Sequence, residues 1–259
     1  LVVRFSDRER PLLIRKRDGG FLYATTDLAA LRYRIQELDS DEVIYVVDAR
    51  QRDHFRDVFD AIHTIGWDIL PDGEQAKLVH LGFGAVLGPD RKPLKTRAGT
   101  NFTLKDLLDE AVDRGRREVH KRSTDPISPT HGMSGAELDA IGQAVGIAAI
   151  KYADLGSGTG KDYVFDLDRM ISFEGDTGPY IQYAHARICS LLSKSGVKSM
   201  EGELLIETPE ERRLALTLLE FPDTVRSAVE QLEPSRLCRY LYGLAGEFSS
   251  FYQACPVLK

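Results

Sequence analysis

The strongest constraint on the fold is an alternation of apolar, strand-like runs and amphipathic helices at the start of the chain. The run Val43–Val47 carries no charge and is rich in β-branched residues, which is typical of a parallel strand buried on both faces. Apolar residues at helical spacing precede it in 28–38 and follow it in 55–65, and the next apolar run is Val79–Leu87. This order predicts an α/β domain with a parallel sheet, in which ligands bind at the carboxyl ends of the strands.

Three polar side chains fall just past strand-like runs in this pattern. Tyr23 and Asp27 are four residues apart at a strand-to-helix junction, and Gln51 follows the run that ends at Val47. A carboxylate beside a phenol and an amide can accept two parallel N–H bonds from a guanidinium, a fork that lysine cannot supply. The spacing alone leaves a second interpretation open, in which Asp27 stabilises the first turn of its helix and Tyr23 is a core residue.

A basic loop, 88–99, follows the second apolar run. It contains the cations Arg91, Lys92, Lys95 and Arg97, and its prolines and glycines predict a loop rather than a helix. Cations on an adjustable loop suit a phosphate group whose charge grows and moves during a transfer reaction. The alternative for a basic loop of this size is a solvated hairpin tip.

The second half of the sequence differs, because helical periodicity replaces the alternation of strands and helices. Ser123–Pro129 has the composition of a linker, and Ser134–Glu137 is a capping box that opens a long helix. Helical patterns predominate from 176 to the end, without internal repeats. These features predict an all-helical bundle that follows the α/β part.

One helix of the second half has aromatic and basic side chains on a single face. Asp176 or Thr177 can cap this helix, which places Tyr180, Tyr183 and Arg187 on one side. Aromatic rings beside an arginine form a stacking surface for unpaired bases, and such stacking contributes about 1–3 kcal/mol per base. The same positions also suit the wall of a bundle core, and the sequence alone leaves both interpretations open.

Bulk charge limits the partners that the chain can bind. The 259 residues carry a net charge of -6 at pH 7, with 34 Lys and Arg against 40 Asp and Glu. Any contact with nucleic acid therefore has to be local rather than a bulk attraction. A basic cluster does occur at 114–122, where the helical pattern favours a solvated helix face over a track for phosphates.

The cysteine spacing and the lengths of the apolar stretches indicate which cellular compartment to expect. The three cysteines lie far apart without a Cys-x-x-Cys pair, which predicts reduced thiols, no zinc site and a cytoplasmic location. No apolar stretch approaches the roughly 20 residues that a membrane helix needs, and no signal peptide is recognisable. The chain opens at Leu1 inside a strand-like run, from which we expect it to be part of a longer polypeptide.

The segment Gly156–Lys161 has the composition of a phosphate-binding P-loop but lacks its pattern. A P-loop requires glycine at position 155 and serine or threonine at position 162. Leu155 and Asp162 stand there instead. We therefore interpret the segment as a flexible loop without a role in phosphate binding.

Seven short stretches, in one order over nearly the whole chain, form a more specific pattern than any single motif. They are Tyr23–Ala29 (YATTDLA), Asp48–Phe55 (DARQRDHF), Phe83–Gly88 (FGAVLG), Lys92–Gly99 (KPLKTRAG), Lys151–Leu155 (KYADL), Asp162–Asp166 (DYVFD) and Phe173–Tyr183 (FEGDTGPYIQY). Together they resemble the arginyl-tRNA synthetases, a class I family.

The resemblance implies both a fold class and a domain order. It implies an α/β, Rossmann-type catalytic domain with a parallel sheet, of which this chain contains part, followed by an all-α helical bundle that binds the anticodon. We place the carboxyl-terminal part of the catalytic domain at 1–122, a linker at 123–133, and the anticodon-binding domain, without its final helices, at 134–259.

The resemblance also assigns roles to individual residues. Tyr23, Asp27 and Gln51 match the pocket for the arginine side chain, which favours the first of the two interpretations above. The ATP-binding positions are His80, Phe83, Gly84, Val86, Lys95, Thr96 and Arg97. Lys95 and Arg97 are also the catalytic positions, because they belong to a degenerate KMSKS loop. The positions assigned to tRNA are Tyr180, Tyr183, Arg187 and Tyr252.

The activity implied by the resemblance is the ATP-dependent ligation of L-arginine to tRNA(Arg) in translation, through an arginyl-adenylate. Its partners would be L-arginine, ATP with Mg²⁺, and tRNA(Arg), with no membrane, no DNA and no metal site encoded in the chain. The family's His-x-Gly-His signature, which contacts ATP, is absent from these residues, so we expect the chain alone to be inactive. The alternative function is a non-catalytic tRNA-binding module derived from a synthetase.

Overall fold

The structure, a computed structural model, describes residues 1–92, 103–126, 128–196 and 205–257. The chain divides into two units. The first comprises Leu1–Ala85 together with the short segment Thr159–Asp162, and the second comprises Val86–Gly158 and Tyr163–Lys259.

The first unit contains the predicted parallel sheet. Its elements in chain order are β1 (Val2–Val3), β2 (Leu12–Leu13), α1 (Tyr23–Gln36), β3 (Glu42–Asp48), α2 (Arg52–Thr64) and β4 (Lys77–Phe83). β1 and β2 pair antiparallel, whereas β3 and β4 pair in parallel, from Glu42 opposite Lys77 to Asp48 opposite Phe83. The crossover between the parallel strands runs through α2, as an α/β fold requires.

The two helices of this unit bury the apolar faces that their spacing predicts. Leu31 and Ile35 of α1 and Val58 and Ile62 of α2 are fully buried, and they share one core with Leu12 of β2. Burial of each large aliphatic side chain contributes about 1.5–3 kcal/mol. This core fixes both helices beside the sheet.

One face of β3 differs from the sequence-based expectation. Side chains alternate along a strand, and Val43 and Tyr45 pack in the core. Ile44 and Val46 point to the opposite face and are 39% and 61% exposed. The expectation that this strand is buried on both faces is therefore wrong for the described part of the chain.

The apolar face of α1 is shorter than the sequence predicts. Leu38, the last residue of the predicted face, lies beyond the end of the helix and is exposed.

The apolar run Val79–Leu87 forms parts of two strands rather than one strand. β4 ends at Phe83, and β5 (Val86–Leu87) begins the second unit. There β5 pairs in parallel with β6 (Tyr163–Val164). The sequence therefore does not reveal that the chain passes from one sheet to another within this run, because both strands are apolar.

The end of the P-loop-like segment lies against Gly84 and Ala85 of the first unit. The Ala85 N–H donates to Oδ1 of Asp162 at 2.7 Å. A Cβ atom at Gly84 would lie only 2.2 Å from the carbonyl carbon of Lys161, so the two backbones approach closely because position 84 has no side chain. Lys161 therefore meets Gly84 through its backbone, and the next residue, Asp162, binds Ala85 through its side chain.

Two long helices, α3 (Leu104–Ser123) and α4 (Gly135–Gly156), pack against each other in the second unit. Each begins at a capping box, which confirms the one predicted for α4. The backbones are so close that a Cβ atom at Gly115 would lie 2.3 Å from the carbonyl oxygen of Gly142. Apolar residues along both helices form the core of this unit, with Phe165 and its neighbours.

The predicted linker, 123–133, lies inside the second unit, where it connects α3 to α4. The two units are defined by compactness, whereas the predicted division into 1–122, 123–133 and 134–259 concerns functional domains. That division stays a prediction.

After the short strand β6, the rest of the second unit is helical. Its helices are α5 (Leu167–Met170), α6 (Gly178–Ser195), α7 (Pro209–Leu219), α8 (Phe221–Glu230) and α9 (Ser235–Ala254). α9 packs against α4, α6, α7 and α8 and buries Cys238, Ala245 and Phe248. Thr177 caps the start of α6, and its hydroxyl accepts the Tyr180 N–H at 3.2 Å. The predicted helical character of this half is confirmed.

Candidate functional site

The carboxylate of Asp27, the centre of the predicted pocket, contacts the start of α2. Its Oδ2 atom lies 2.7 Å from Nε2 of His54. The side chains of Asp27 and His54 are 27% and 31% exposed. The carboxylate is thus partly shielded from water and still accessible to a ligand.

A sharp turn after β3 brings the start of α2 to Asp27. Asp48, the last residue of β3, accepts the backbone N–H of Arg50 at 2.8 Å and two bonds from its guanidinium. The side-chain bonds from Arg50, followed by the backbone bond, lower the pKa of Asp48 to about 2. The chain then forms a 3₁₀ turn, Ala49–Gln51, that leads directly into α2. A helix start at the carboxyl end of a parallel strand is where α/β sheets bind their ligands.

Tyr23 and Gln51 lie close to Asp27 along the same two helices. Tyr23 is the first residue of α1, one turn before Asp27, and it is 85% exposed. It is therefore not a core residue, and Asp27 lies in the second helical turn rather than the first. Gln51 is exposed and precedes His54 by one helical turn, so it lies at the end of α2 that contacts Asp27. The binding roles of all three stay predictions.

Three of the residues assigned to ATP lie towards the carboxyl end of β4. His80 packs on Phe55 with ring centroids 5.6 Å apart, and its Nε2 atom is buried without a hydrogen-bond partner in the described part of the chain. Phe83 ends the strand and is 48% exposed, and Gly84 follows it. A buried polar atom without a partner costs roughly 1–3 kcal/mol. A ligand or a water molecule bonded to His80 would recover that energy.

The other residues assigned to ATP do not lie on this strand. Val86 begins β5 in the second unit. Lys95, Thr96 and Arg97 lie outside the described residues. The described beginning of the basic loop, 88–92, is a tight turn closed by backbone hydrogen bonds, so the loop interpretation holds for that part.

The aromatic face predicted on α6 is partly covered by α9. The Arg187 guanidinium lies 4.0 Å from the ring centroid of Tyr252, and Tyr180 packs on Tyr242 with centroids 5.7 Å apart. Tyr183 is 45% exposed. A base can stack only on an open ring face, which Tyr183 offers, whereas Arg187 already covers one face of Tyr252. On this face of α6, Tyr180 and Arg187 therefore pack against α9, and the ring of Tyr183 is accessible.

Models of two protein families match the chain over successive segments. Residues 1–167 match the catalytic domain of class I tRNA synthetases (R), and residues 181–259 match the DALR anticodon-binding domain. The chain belongs to the arginyl-tRNA synthetase family. The predicted resemblance, with a Rossmann-type catalytic part followed by a helical anticodon-binding part, is confirmed.

Curated relatives carry the name arginine–tRNA ligase. The relative from Frankia casuarinae is 49% identical over 249 residues, which cover 96% of this chain and 40% of the relative. The relative from Pseudomonas savastanoi pv. phaseolicola is 44% identical over 254 residues, which cover 97% of this chain and 42% of the relative. The chain thus spans about two fifths of the length of these arginyl-tRNA synthetase relatives.

Solved arginyl-tRNA synthetases have the same fold as this chain. The crystal structure from Plasmodium falciparum aligns with a TM-score of 0.82 at 32% identity and covers 100% of this chain and 42% of that chain. The structure from Thermus thermophilus aligns with a TM-score of 0.77 at 27% identity, over 96% of this chain and 44% of that chain.

Two residues in the stretches that carry the arginyl-tRNA synthetase resemblance make contacts that sequence reasoning missed. One is His54, and the other is Tyr152 of α4, whose hydroxyl lies 2.5 Å from Oδ1 of Asp176 and 2.9 Å from the Cys238 carbonyl oxygen. Burial, followed by the bond to Asp176, raises the pKa of Tyr152. Their positions in shared stretches were visible in the sequence, but a linear pattern does not show which side chains meet.

A basic cavity of about 470 Å³ lies along α3. Its lining residues are Arg114, Arg117, Glu118, Lys121, Arg122, Asp168, Ile171 and Ser172. Arg114 pairs with Asp168, and Arg122 pairs with Glu118 at 2.8 Å. Within the described ranges Arg117 and Lys121 form no such ion pair. The basic cluster thus lines a concave surface and keeps two positive charges available to an anion.

Neither a group of metal-ligating side chains nor a membrane helix occurs in the described part of the chain. In the part that the structure describes, no three His, Cys, Asp or Glu side chains are grouped so that they could hold a metal ion. Among the same residues, no helix has the length and apolar character that crossing a membrane requires. The residues assigned to ATP therefore include no preformed metal cluster within those ranges.

Proposed function

We propose that this chain supplies the arginine pocket, part of the ATP site and the anticodon-binding helices of an enzyme that ligates L-arginine to tRNA(Arg). The observation that carries the proposal is the accessible carboxylate of Asp27 near the carboxyl end of the β3–β4 sheet. Tyr23 lies one turn before it, and Gln51 lies one turn before its partner His54. Membership of the arginyl-tRNA synthetase family supports the same conclusion.

The chemistry of the pocket favours arginine over other cationic amino acids. A guanidinium presents a planar fork of N–H donors that a carboxylate accepts with two parallel bonds, whereas an ammonium presents a point charge. Such charge-assisted bonds contribute about 1.5–3 kcal/mol. The phenol of Tyr23 and the amide of Gln51 supply neutral acceptors for the remaining donors.

The proposed reaction has two steps. In the first, a carboxylate oxygen of arginine attacks the α-phosphorus of ATP, the bond to the bridging oxygen breaks, and pyrophosphate leaves as arginyl-adenylate forms. In the second, a terminal ribose hydroxyl of tRNA attacks the arginyl carbonyl carbon, the bond from that carbon to the phosphate oxygen breaks, and AMP leaves as the hydroxyl proton passes to its phosphate. Positioning and charge stabilisation drive both steps, so the chain needs no general base.

The ATP-binding residues are proposed to form two groups, one for the adenosine and one for the phosphates. His80, Phe83, Gly84 and Val86 contact the adenosine, and Lys95, Thr96 and Arg97 hold the phosphates. Lys95 and Arg97 stabilise the charge that develops on the leaving pyrophosphate. Mg²⁺ is bound to the phosphate oxygens of ATP and is part of the substrate.

The helices of the second unit are proposed to bind the anticodon loop of tRNA(Arg). Tyr183 stacks on an unpaired base, while Tyr180, Arg187 and Tyr252 shape the surface around it. Support comes from the exposed ring of Tyr183 and from the match of 181–259 to an anticodon-binding family. The enzyme would act in the cytoplasm, without DNA or a membrane as partner.

The test is tRNA-dependent exchange between ATP and pyrophosphate by the complete protein, with arginine compared with lysine. We expect exchange with arginine to be at least about 100-fold faster than with lysine, because only arginine supplies the fork. The chain of 259 residues alone is expected to catalyse no exchange. Equal exchange with the two amino acids would refute the assignment of the pocket.

The second candidate is a non-catalytic tRNA-binding module derived from a synthetase. The observation that favours it is the absence of the His-x-Gly-His signature from these residues. If the complete protein binds tRNA(Arg) and yet shows no exchange with any amino acid, this second function replaces the first.

A further inference from the structure

The contact between Asp27 and His54 has a geometry that matters for guanidinium binding. The distance of 2.7 Å between Oδ2 and Nε2 is that of a charge-assisted hydrogen bond. A carboxylate only accepts hydrogen bonds, so Nε2 of His54 has to carry the hydrogen and donate it. One oxygen of Asp27 is thereby engaged, and its other oxygen is not part of this bond.

Two features hold the His54 ring in place for this bond. His54 lies in the first turn of α2, directly after the turn fixed by Asp48. Its ring meets the ring of Phe55 edge-on, with centroids 5.1 Å apart and planes at 79°, and Phe55 is buried. The imidazole therefore projects from a well-anchored helical turn.

A carboxylate that forms a fork with a guanidinium has to present both oxygens in one plane. An unrestrained aspartate side chain rotates about its terminal bond, so it loses that freedom when the ligand binds. A donor fixed at one oxygen sets the orientation before binding and leaves further acceptor positions on both oxygens.

From these contacts we propose that His54 is a positioning residue for arginine recognition. It donates Nε2–H to Asp27 and fixes the plane of the carboxylate that receives the guanidinium. The inference rests on the proposed function, since it assumes that Asp27 binds the arginine side chain. It adds a specificity role for a residue that does not itself touch the substrate.

A purely structural role for His54, as a link between α1 and α2, makes different predictions. A structural link would affect folding, and through it the binding of every substrate. A positioning residue affects the KM for arginine and leaves the KM for ATP and the kcat nearly unchanged.

The first test is steady-state aminoacylation by the complete protein with His54→Ala and His54→Gln. We expect His54→Ala to raise the KM for arginine about 5- to 20-fold, with kcat and the KM for ATP within about twofold. The rise is smaller than the loss of a charged hydrogen-bond partner would cause, because the Asp27 carboxylate itself remains. Glutamine retains an N–H donor at a similar reach, so His54→Gln is expected to stay within about threefold of the wild type.

A matched control is available on the second unit. His120 lies 2.8 Å from Asp139, a histidine–aspartate pair that joins α3 to α4, and His120→Ala is expected to leave the KM for arginine unchanged. An equal rise of the KM for arginine and for ATP in His54→Ala, or the same loss in His54→Gln as in His54→Ala, would overturn the positioning role.

A second measurement does not depend on the folding of any alanine variant. Long-range ¹H–¹⁵N correlation spectra of the ¹⁵N-histidine-labelled protein report which ring nitrogen of His54 carries the hydrogen. His54→Gln identifies the resonance. We expect the hydrogen on Nε2, and a neutral ring with its hydrogen on Nδ1 would contradict the proposal.

Asp27→Asn separates the failure of this inference from the failure of the proposed function. If Asp27→Asn raises the KM for arginine and His54→Ala does not, only the positioning role falls. If neither variant changes that KM, the pocket itself is wrong. In the expected case, the double variant is non-additive, because both substitutions act on one interaction.

Discussion

In the first unit, a backbone turn brings together two side chains that are distant in the sequence. Asp27 and His54 are separated by a whole helix and a strand, and they meet because Asp48 and Arg50 fold the chain sharply after β3. Substitutions at Asp27 therefore test a local contact that only the fold creates.

The first prediction concerns the charge of Asp27. Asp27→Asn keeps the shape of the side chain and removes its negative charge, so the KM for arginine is expected to rise about 10- to 150-fold, the equivalent of about 1.5–3 kcal/mol. Steady-state aminoacylation by the complete protein measures this change. The free energy of unfolding should change by less than about 1 kcal/mol, because the side chain is partly exposed.

Asp53→Asn is the matched control for that prediction. Asp53 also lies in the first turn of α2, but its side chain is 82% exposed and pairs with Arg56 at 3.5 Å. Its substitution should leave the KM for arginine unchanged. If calorimetry finds the arginine affinity of Asp27→Asn within twofold of the wild type, the carboxylate does not bind the substrate.

At this scale the sequence predicts a pocket for a guanidinium, which stays a prediction, and it does not reveal the contacts between the side chains. Tyr23, Asp27 and Gln51 each follow a strand-like run in the sequence, and in the structure they lie in the first two turns of α1 and just before α2. The bond from His54 was not foreseeable, because its existence depends on the angle at which α2 leaves the turn. The exposed ring of Tyr23 likewise follows from where α1 begins, which composition did not define.

Between elements, the face shared by α6 and α9 leads to a second prediction. Tyr183→Ala removes an exposed ring and should weaken the binding of tRNA(Arg) by about 1–3 kcal/mol, the value of one stacked base. Filter binding or fluorescence anisotropy with the complete protein measures the loss. Arginine binding and the free energy of unfolding should stay nearly constant.

Tyr240→Phe is the comparison for Tyr183→Ala. The Tyr240 hydroxyl donates to the Thr217 carbonyl at 3.0 Å and joins α9 to α7, so its loss should lower stability and leave tRNA affinity largely intact. Equal losses of tRNA binding and arginine binding in Tyr183→Ala would show that the ring has a packing role instead.

A third prediction concerns the pH dependence of stability at β6. Burial, followed by the charge of Asp154, raises the pKa of Tyr163 to about 12 in the folded chain, above its ordinary value. The protonated hydroxyl therefore contributes stability that is fully present below about pH 10 and is lost as the pH rises towards 12. The free energy of unfolding should fall with a slope of at most about 1.4 kcal/mol per pH unit from this group.

Urea titrations at pH 9, 10 and 11 measure that slope. Tyr163→Phe removes the titrating hydroxyl, so its stability should fall less steeply with pH than that of the wild type. Tyr33→Phe, at an exposed position of α1, controls for the loss of a hydroxyl as such. Identical slopes for Tyr163→Phe and the wild type would mean that Tyr163 does not contribute to the pH dependence.

Elements with strong periodicity were predicted well, and those that depend on distant partners were not. The spacing of Leu28, Leu31 and Ile35 indicated the buried face of α1, because a helical face is a local property. The division of 79–87 into β4 and β5 was missed because each strand takes its partner from a remote part of the chain.

Across the whole molecule, charge is uneven despite the acidic balance. The net charge is -6, yet the cavity along α3 is lined by four basic side chains, two of which lack an ion-pair partner in the described ranges. A fourth prediction is that this cavity contacts phosphates of tRNA(Arg). Replacing both Arg117 and Lys121 by alanine should reduce the slope of log K against log salt by about 1–2.

A control for this variant removes the same charge elsewhere. Lys105 pairs with Asp109, and Arg226 pairs with Asp223, so alanine at both Lys105 and Arg226 should leave the salt slope nearly unchanged. The slope is measured by titrating tRNA at several salt concentrations. A cavity variant with the wild-type slope would mean that the cluster is a solvated surface.

The interruption at 159–162 limits how this protein can be dissected. The chain passes from the first unit to the second after Ala85, returns for Thr159–Asp162, and leaves again at Tyr163. A shortened gene ending at Ala85 would omit the acceptor on Asp162 and the backbone that lies against Gly84. Protein engineers who wish to study the sheet in isolation would therefore have to transplant that tetrapeptide along with it.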